Sequence, residues 1–100
     1  DAEEMQDRLV LALIHEGARM LADGTAETAG DIDIVSREGL GFPARLEGVI
    51  AHADALGAGR VAEALTRLAV EDPVVWTPPA PILDCARTGG RLAEWRPLRR

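Results

Sequence analysis

The side chains that could move a proton, attack a carbonyl or hold an ion are few: His15-Glu16, His52 with Asp54, Asp31 with Asp33, Cys85 and Ser36. A histidine beside a glutamate can form an acid–base couple. Neighbours on a helix project about 100° apart, however, and do not face each other. His15 therefore reads as a structural or solvent-facing residue, and Glu16 as the ion-pair partner of Arg19. His52 and Asp54, two positions apart, diverge in the same way. A metal site needs at least three convergent ligands, and two histidines with one cysteine offer no HxxxH or CxxC spacing. Asp31 and Asp33 fall short of a calcium loop, which wants oxygens at alternating positions and a glycine at the sixth. Asp31 is better explained as helix-start chemistry, with Asp33 on the first turn of the same helix. Cys85 has Asp84 and Arg87 near it but no base, and reads as a buried structural thiol. Ser36, the only serine, lies mid-helix. There is no GxGxxG after a strand and no GxxxxGK[ST], so neither phosphate-binding loop is present. Catalytic, cofactor-binding and metal-ligating residues are accordingly all assigned as none.

The elements that would position these residues are helical. Asp1 is placed to cap a first helix, with Glu3 and Glu4 in the turn where the helix dipole favours anions. Met5, Leu9, Ala12, Leu13, Met20 and Leu21 recur at helical spacing, widened by Ile14 and Ala18, and Gly24 stops the run. A second helix starts at Thr28, with Asp31 three residues on in a variant of the capping box. Its Ile32 and Val35 are expected to point one way, and Gly39 to end it. The Gly39-Leu40-Gly41-Phe42-Pro43 turn follows, since proline disfavours helix just before it. A third helix is expected from Leu46 or Glu47 to Leu56, with Gly48 inside it and Gly57 closing it. A fourth runs from Gly59 to Val70 on Val61, Ala64, Leu65 and Leu68, and Asp72-Pro73 ends it. Residues 73–81, with Pro73, Pro78, Pro79 and Pro81, read as an extended connector anchored by Trp76. A short fifth helix spans Ala80 to Thr88, with Ile82, Leu83 and Ala86 inward, before Gly89-Gly90. Residues 91–100 form a tail in which Trp95 packs back. The only β-like piece, Pro73 to Thr77, is hemmed by prolines.

Length and composition set the outer bounds. One hundred residues make one domain, 1–100, with a modest core. The formal net charge is −6, with 17 acidic residues against 11 basic ones, and every basic residue is arginine. Net negative charge argues against nucleic acid as a partner, because that binding rests on neutralising phosphates. Arg91, Arg96, Arg99 and Arg100 make the tail locally basic, which reads as a solvated segment. No apolar run nears the ~20 residues a membrane-spanning helix needs, and the acidic start is unlike a secretory signal. A lone cysteine cannot form an internal disulfide, which suits a reducing cytoplasm. The opening on Asp1, without an initiator Met, reads as a piece of a longer protein.

One ordered set of short motifs goes further: Asp7-Arg8-Leu9, Glu16-Gly17-Ala18-Arg19-Met20-Leu21, Asp23-Gly24, Asp31-Ile32-Asp33, Gly39-Leu40-Gly41-Phe42-Pro43 and Asp54-Ala55-Leu56-Gly57. This order resembles the C-terminal helical domain of 3-hydroxyacyl-CoA dehydrogenases. The resemblance covers nearly the whole chain. It implies an all-α, compact bundle of about five helices, of the type found at the C-terminus of 6-phosphogluconate dehydrogenase. In that family an N-terminal Rossmann domain binds NAD, a His–Glu pair there handles the hydroxyl proton, and the helical domain contributes one asparagine just before the arginine matched by Arg8.

Here the matching position is Asp7. An ionised aspartate only accepts hydrogen bonds, whereas charge building on a substrate oxygen is stabilised by donors. The catalytic role is therefore not carried onto Asp7. The stretch from Pro43 to Asp54, with Arg45, Glu47 and Gly48 within it, also departs from the family's pattern. Both departures, and the tail with Pro78-Pro79, Ile82-Leu83 and Gly89-Gly90, are most similar to the second, degenerate copy of this domain. That copy occurs in multifunctional enoyl-CoA hydratase/3-hydroxyacyl-CoA dehydrogenases of fatty-acid β-oxidation. The resemblance implies a support and interaction domain, with no cofactor of its own and NAD bound elsewhere in the parent. Its partners would be the upstream Rossmann and sister helical domains, or a second copy meeting exposed apolar faces. A free-standing helical dimerisation module is the alternative.

Overall fold

The computed structural model describes residues 2–25, 28–39, 41–42 and 46–97. Asp1 as a cap, Leu40, Pro43 and Arg45 of the turn region, and Arg99 and Arg100 of the tail lie outside them. Among the described residues every regular element is helical: α1 (Ala2–Asp23), α2 (Ala29–Gly39), α3 (Val49–Leu56), α4 (Ala58–Ala69), α5 (Pro73–Trp76), α6 (Ala80–Thr88) and a 3-10 turn at Leu92–Glu94. The all-α expectation holds. None of these helices is long and apolar enough to cross a membrane.

The core gathers one stripe from each long helix. Ile14 and Ala18 come from α1, Ile32 from α2, Val49, Ile50 and Ala53 from α3, Val61 and Leu65 from α4, and Ile82 and Cys85 from α6. Phe42 enters it from the segment after α2, and Leu92 from the 3-10 turn. Burial of each large aliphatic side chain is worth about 1.5–3 kcal/mol. The first helix shows which stripe wins when two are available. Met5 and Leu9, expected inward, are 71% and 60% exposed, and Ile14, Gly17 and Ala18 are buried instead. Gly17 belongs there because α1 and α3 touch at this point: a Cβ on it would lie 2.9 Å from the side chain of Val49. In α2 the buried residues are Ala29, Ile32 and Ser36, about one turn apart, and Val35 faces outward. In α6, Leu83 is exposed and Pro81 takes the inward place beside Ile82.

The residues expected to be a connector before α6 begin as a helical turn. Asp72 caps α5 by accepting from the Val75 amide, and Pro73 fits the first helical position, where no amide donor is needed. Trp76 packs against the core, as expected of an anchor. The spans of α6 and α4 agree with the sequence reading to within a residue, and Thr28 starts α2 by accepting from the Asp31 amide at 3.1 Å.

The third helix begins later than its pattern suggests. Gly48 is not inside it but immediately before it, at φ 120°. Few L-residues adopt that conformation, and a Cβ here would collide with the Asp33 side chain. Gly48→Ala should therefore cost about 3 kcal/mol through combined backbone strain and overpacking. Gly59→Ala, in the first turn of α4 with nothing within 4 Å, should gain about 0.5 kcal/mol. Urea unfolding of the two variants checks this; a neutral Gly48→Ala would contradict it.

Candidate functional site

Helix α3 needs partners for its first amides, and α2 provides them from outside. The Ser36 hydroxyl accepts from the Val49 amide at 3.1 Å and donates to the Asp33 carbonyl at 2.9 Å. Asp33 Oδ1 accepts from Ile50 at 2.6 Å, and Oδ2 from Ala51 at 3.2 Å. The next amide, His52, starts the helix's own ladder by donating to Gly48 at 2.9 Å. Asp33 and Ser36 are three apart on α2, the spacing that puts two side chains on one face. The glycine between them and α3 lets that face approach.

The other end of α3 repeats the arrangement in reverse. Asp54 accepts from the amides of Leu92 at 2.6 Å and Ala93 at 3.1 Å, holding the C-terminal 3-10 turn. A third carboxylate, Asp84, accepts from the Trp95 indole at 2.9 Å, so Trp95 does pack back. None of these three roles follows from the local sequence around the aspartates. Lone Ser36 is the nearest signal: serine is a poor residue for a helix interior, and a fully buried one implies a partner.

The couples considered from sequence are not assembled. His15 Nε2 lies 2.9 Å from the carbonyl of Thr77, which requires the Nε2–H tautomer, and so tethers the segment after α5. Glu16 pairs with Arg19 through two contacts of 3.1 and 2.6 Å, as read from the sequence. That bond holds the Glu16 carboxyl below its ordinary value, against a smaller opposing effect of burial. His52 tilts against Phe42 at a ring separation of 5.8 Å, while Asp54 turns to the C-terminal segment. Cys85 is buried, and burial, followed by the charges of Asp54 and Asp84, pushes its thiol up, away from the reactive thiolate. Among the described residues no three of His, Cys, Asp and Glu converge on a point that could hold a metal ion.

What remains is Asp7. It stands on the exposed side of α1 between two grooves that share it and Leu11. One, about 310 Å³, is lined by Asp7, Val10, Leu11, His52 and Leu56. The other, about 230 Å³, lies between α1 and α4, with Leu11, Ala64 and Leu68 along it and Arg8 and Arg67 among its charged residues. Arg8 is drawn to Glu71 at 3.2 Å and Glu4 at 3.6 Å. The Asp7 carboxylate is exposed on this wall, where it can accept hydrogen bonds but not donate them.

Asp33 sets a pH dependence. Burial raises its carboxyl above the ordinary value, outweighing the lowering effect of the Ile50 and Ala51 amides. A carboxyl whose folded pKa is raised stabilises most below its unfolded pKa, about 3.8. That contribution is lost as pH rises through the folded value. Relative to Asp33→Asn, the wild-type chain should therefore lose stability as pH rises from about 3 to 7. Urea midpoints of the two proteins across that range test it; a difference that grows in favour of wild type would contradict it.

One comparison with known families spans nearly the whole of this architecture. Residues 5–94 match the family described as 3-hydroxyacyl-CoA dehydrogenase, C-terminal domain. The match covers all six helices but the first residues of α1, and the chain belongs to the 3-hydroxyacyl-CoA dehydrogenase C-terminal domain family.

Proposed function

We propose that this chain is a support and interaction domain of a fatty-acid β-oxidation enzyme. The parent would oxidise a 3-hydroxyacyl-CoA to the 3-ketoacyl-CoA with NAD held by a separate Rossmann domain. The hydride chemistry belongs to that cofactor, and the described residues here offer no strand-to-helix phosphate turn to hold it. The observation that carries the reading is Asp7. It occupies the groove wall at the position matched to the family's asparagine, but as a carboxylate it cannot donate to a substrate oxygen. This supports a domain of the second-copy type, whose work is to hold neighbouring domains in place. The setting that fits its single buried thiol is a reducing cytoplasm.

The surface fits that role. Met5 and Leu9 lie one turn apart on α1 and are largely exposed, as are Val70 and Val74 around α5. Apolar faces of this kind mark contact sites, and the sister helical domain of the parent is the partner proposed for them. The same faces favour a second reading, a free-standing dimerisation module with no acyl-CoA role.

Calorimetric titration of the chain with acetoacetyl-CoA, with and without NAD, separates these readings from a catalytic one. No heat of binding is expected. Binding in the micromolar range, about 8 kcal/mol, would overturn the support role and assign part of the substrate site to this domain. In the parent enzyme, Asp7→Ala should leave turnover within about twofold of wild type, and its loss would contradict the proposal equally.

A further inference from the structure

We infer that residues 89–97 form a strap that opens as a unit while the helices stay folded, with the Asp54 carboxylate as its catch. Among the described residues, no backbone–backbone hydrogen bond joins residues 91–97 to a helix. The bonds there are internal to the strap, Glu94 to Arg91 at 3.0 Å and Trp95 to Leu92 at 3.1 Å. What holds it down is side-chain chemistry. Asp54 takes both the Leu92 and Ala93 amides, Asp84 takes the Trp95 indole, and the Leu92 side chain fills a socket in which it is fully buried. The strap packs on α2, α3 and α6.

The strap also has a hinge and room beneath it. Gly89 closes α6 in the left-handed conformation at φ 78°, and its amide donates to Cys85 at 2.8 Å, so the helix end is satisfied without the strap. Gly90 follows, giving two glycines at the point where the chain leaves the helix. Beyond Leu92 the strap borders an open cleft of about 250 Å³. Trp95, Arg96 and Pro97 form one side of it, and the end of α1 with the start of α2, from Leu21 to Gly24 and at Thr28 and Ala29, forms the other. Only Leu92, Ala93 and Trp95 of the strap pack on the core, and its other described residues are exposed, so it separates more readily than a helix packed along its length. The inference is independent of any acyl-CoA role.

Two measurements on the whole chain test it. In native-state hydrogen exchange, the Leu92 and Ala93 amides should exchange at least about tenfold faster than those of Val61 and Leu65 in α4, with a weaker dependence on urea. In a Trp76→Phe background, Trp95 fluorescence should report a transition at lower urea than the loss of helical circular dichroism. Asp54→Asn should then move the first transition to lower urea and leave the second in place, because only strap opening breaks the catch. Exchange of the Leu92 and Ala93 amides at the α4 rate with the same urea dependence, or a single transition that Asp54→Asn shifts as a whole, would overturn the proposal.

Discussion

Helix α3 starts without a residue of its own to satisfy its first amides, and the carboxylate of Asp33 with the hydroxyl of Ser36 does so from the neighbouring helix. Much of the centre of the molecule depends on that contact. It fixes α2 against α3 and requires glycine at position 48; the end of α2 in turn holds Phe42, whose amide donates to the Ser36 carbonyl at 2.9 Å and whose ring meets His52 of α3. Once α3 is set, its far end presents Asp54 to the C-terminal turn. Two aspartates thus order three segments that are distant in sequence. Leaving the backbone amides they satisfy without an acceptor would be costly, and in a chain this short each such contact is a large share of a small total stability.

That arrangement also explains why so little chemistry is left over. Most residues that looked capable of acid–base or nucleophilic work are engaged in holding the fold. Asp33 and Asp54 cap backbone, His15 ties down Thr77, Glu16 neutralises Arg19, and Cys85 is packed into the core. Asp7, by contrast, stands at the wall shared by two grooves. Its carboxylate is exposed there, and an ionised aspartate accepts hydrogen bonds without donating them.

The helical class, the turn glycines, the spans of α4 and α6 and the return of Trp95 were legible in the sequence because they rest on local signals: period, caps and breakers. The choice of face was harder. On α1 both the Met5–Leu9 stripe and the Ile14–Ala18 stripe are apolar, and only the close approach of Gly17 to Val49 decides between them. On α2, Val35 looked like a core residue beside Ile32, yet the buried partner is the polar Ser36. The aspartate caps were not legible, because each joins residues separated by 17 to 39 positions. Local patterning carries no record of such a contact. The same holds for the late start of α3: Gly48 looks like a weak helical residue until the side chain of Asp33 is seen against it.

The aspartates that accept from backbone amides serve the fold, and Asp7 does not. Urea unfolding of Asp33→Ala beside Asp7→Ala at neutral pH tests it most directly. Asp33→Ala leaves the Ile50 and Ala51 amides without their acceptor and should lose about 2 kcal/mol; Asp7→Ala should stay within about 0.5 kcal/mol of the wild-type chain. A stable Asp33→Ala together with a strongly destabilised Asp7→Ala would contradict the account.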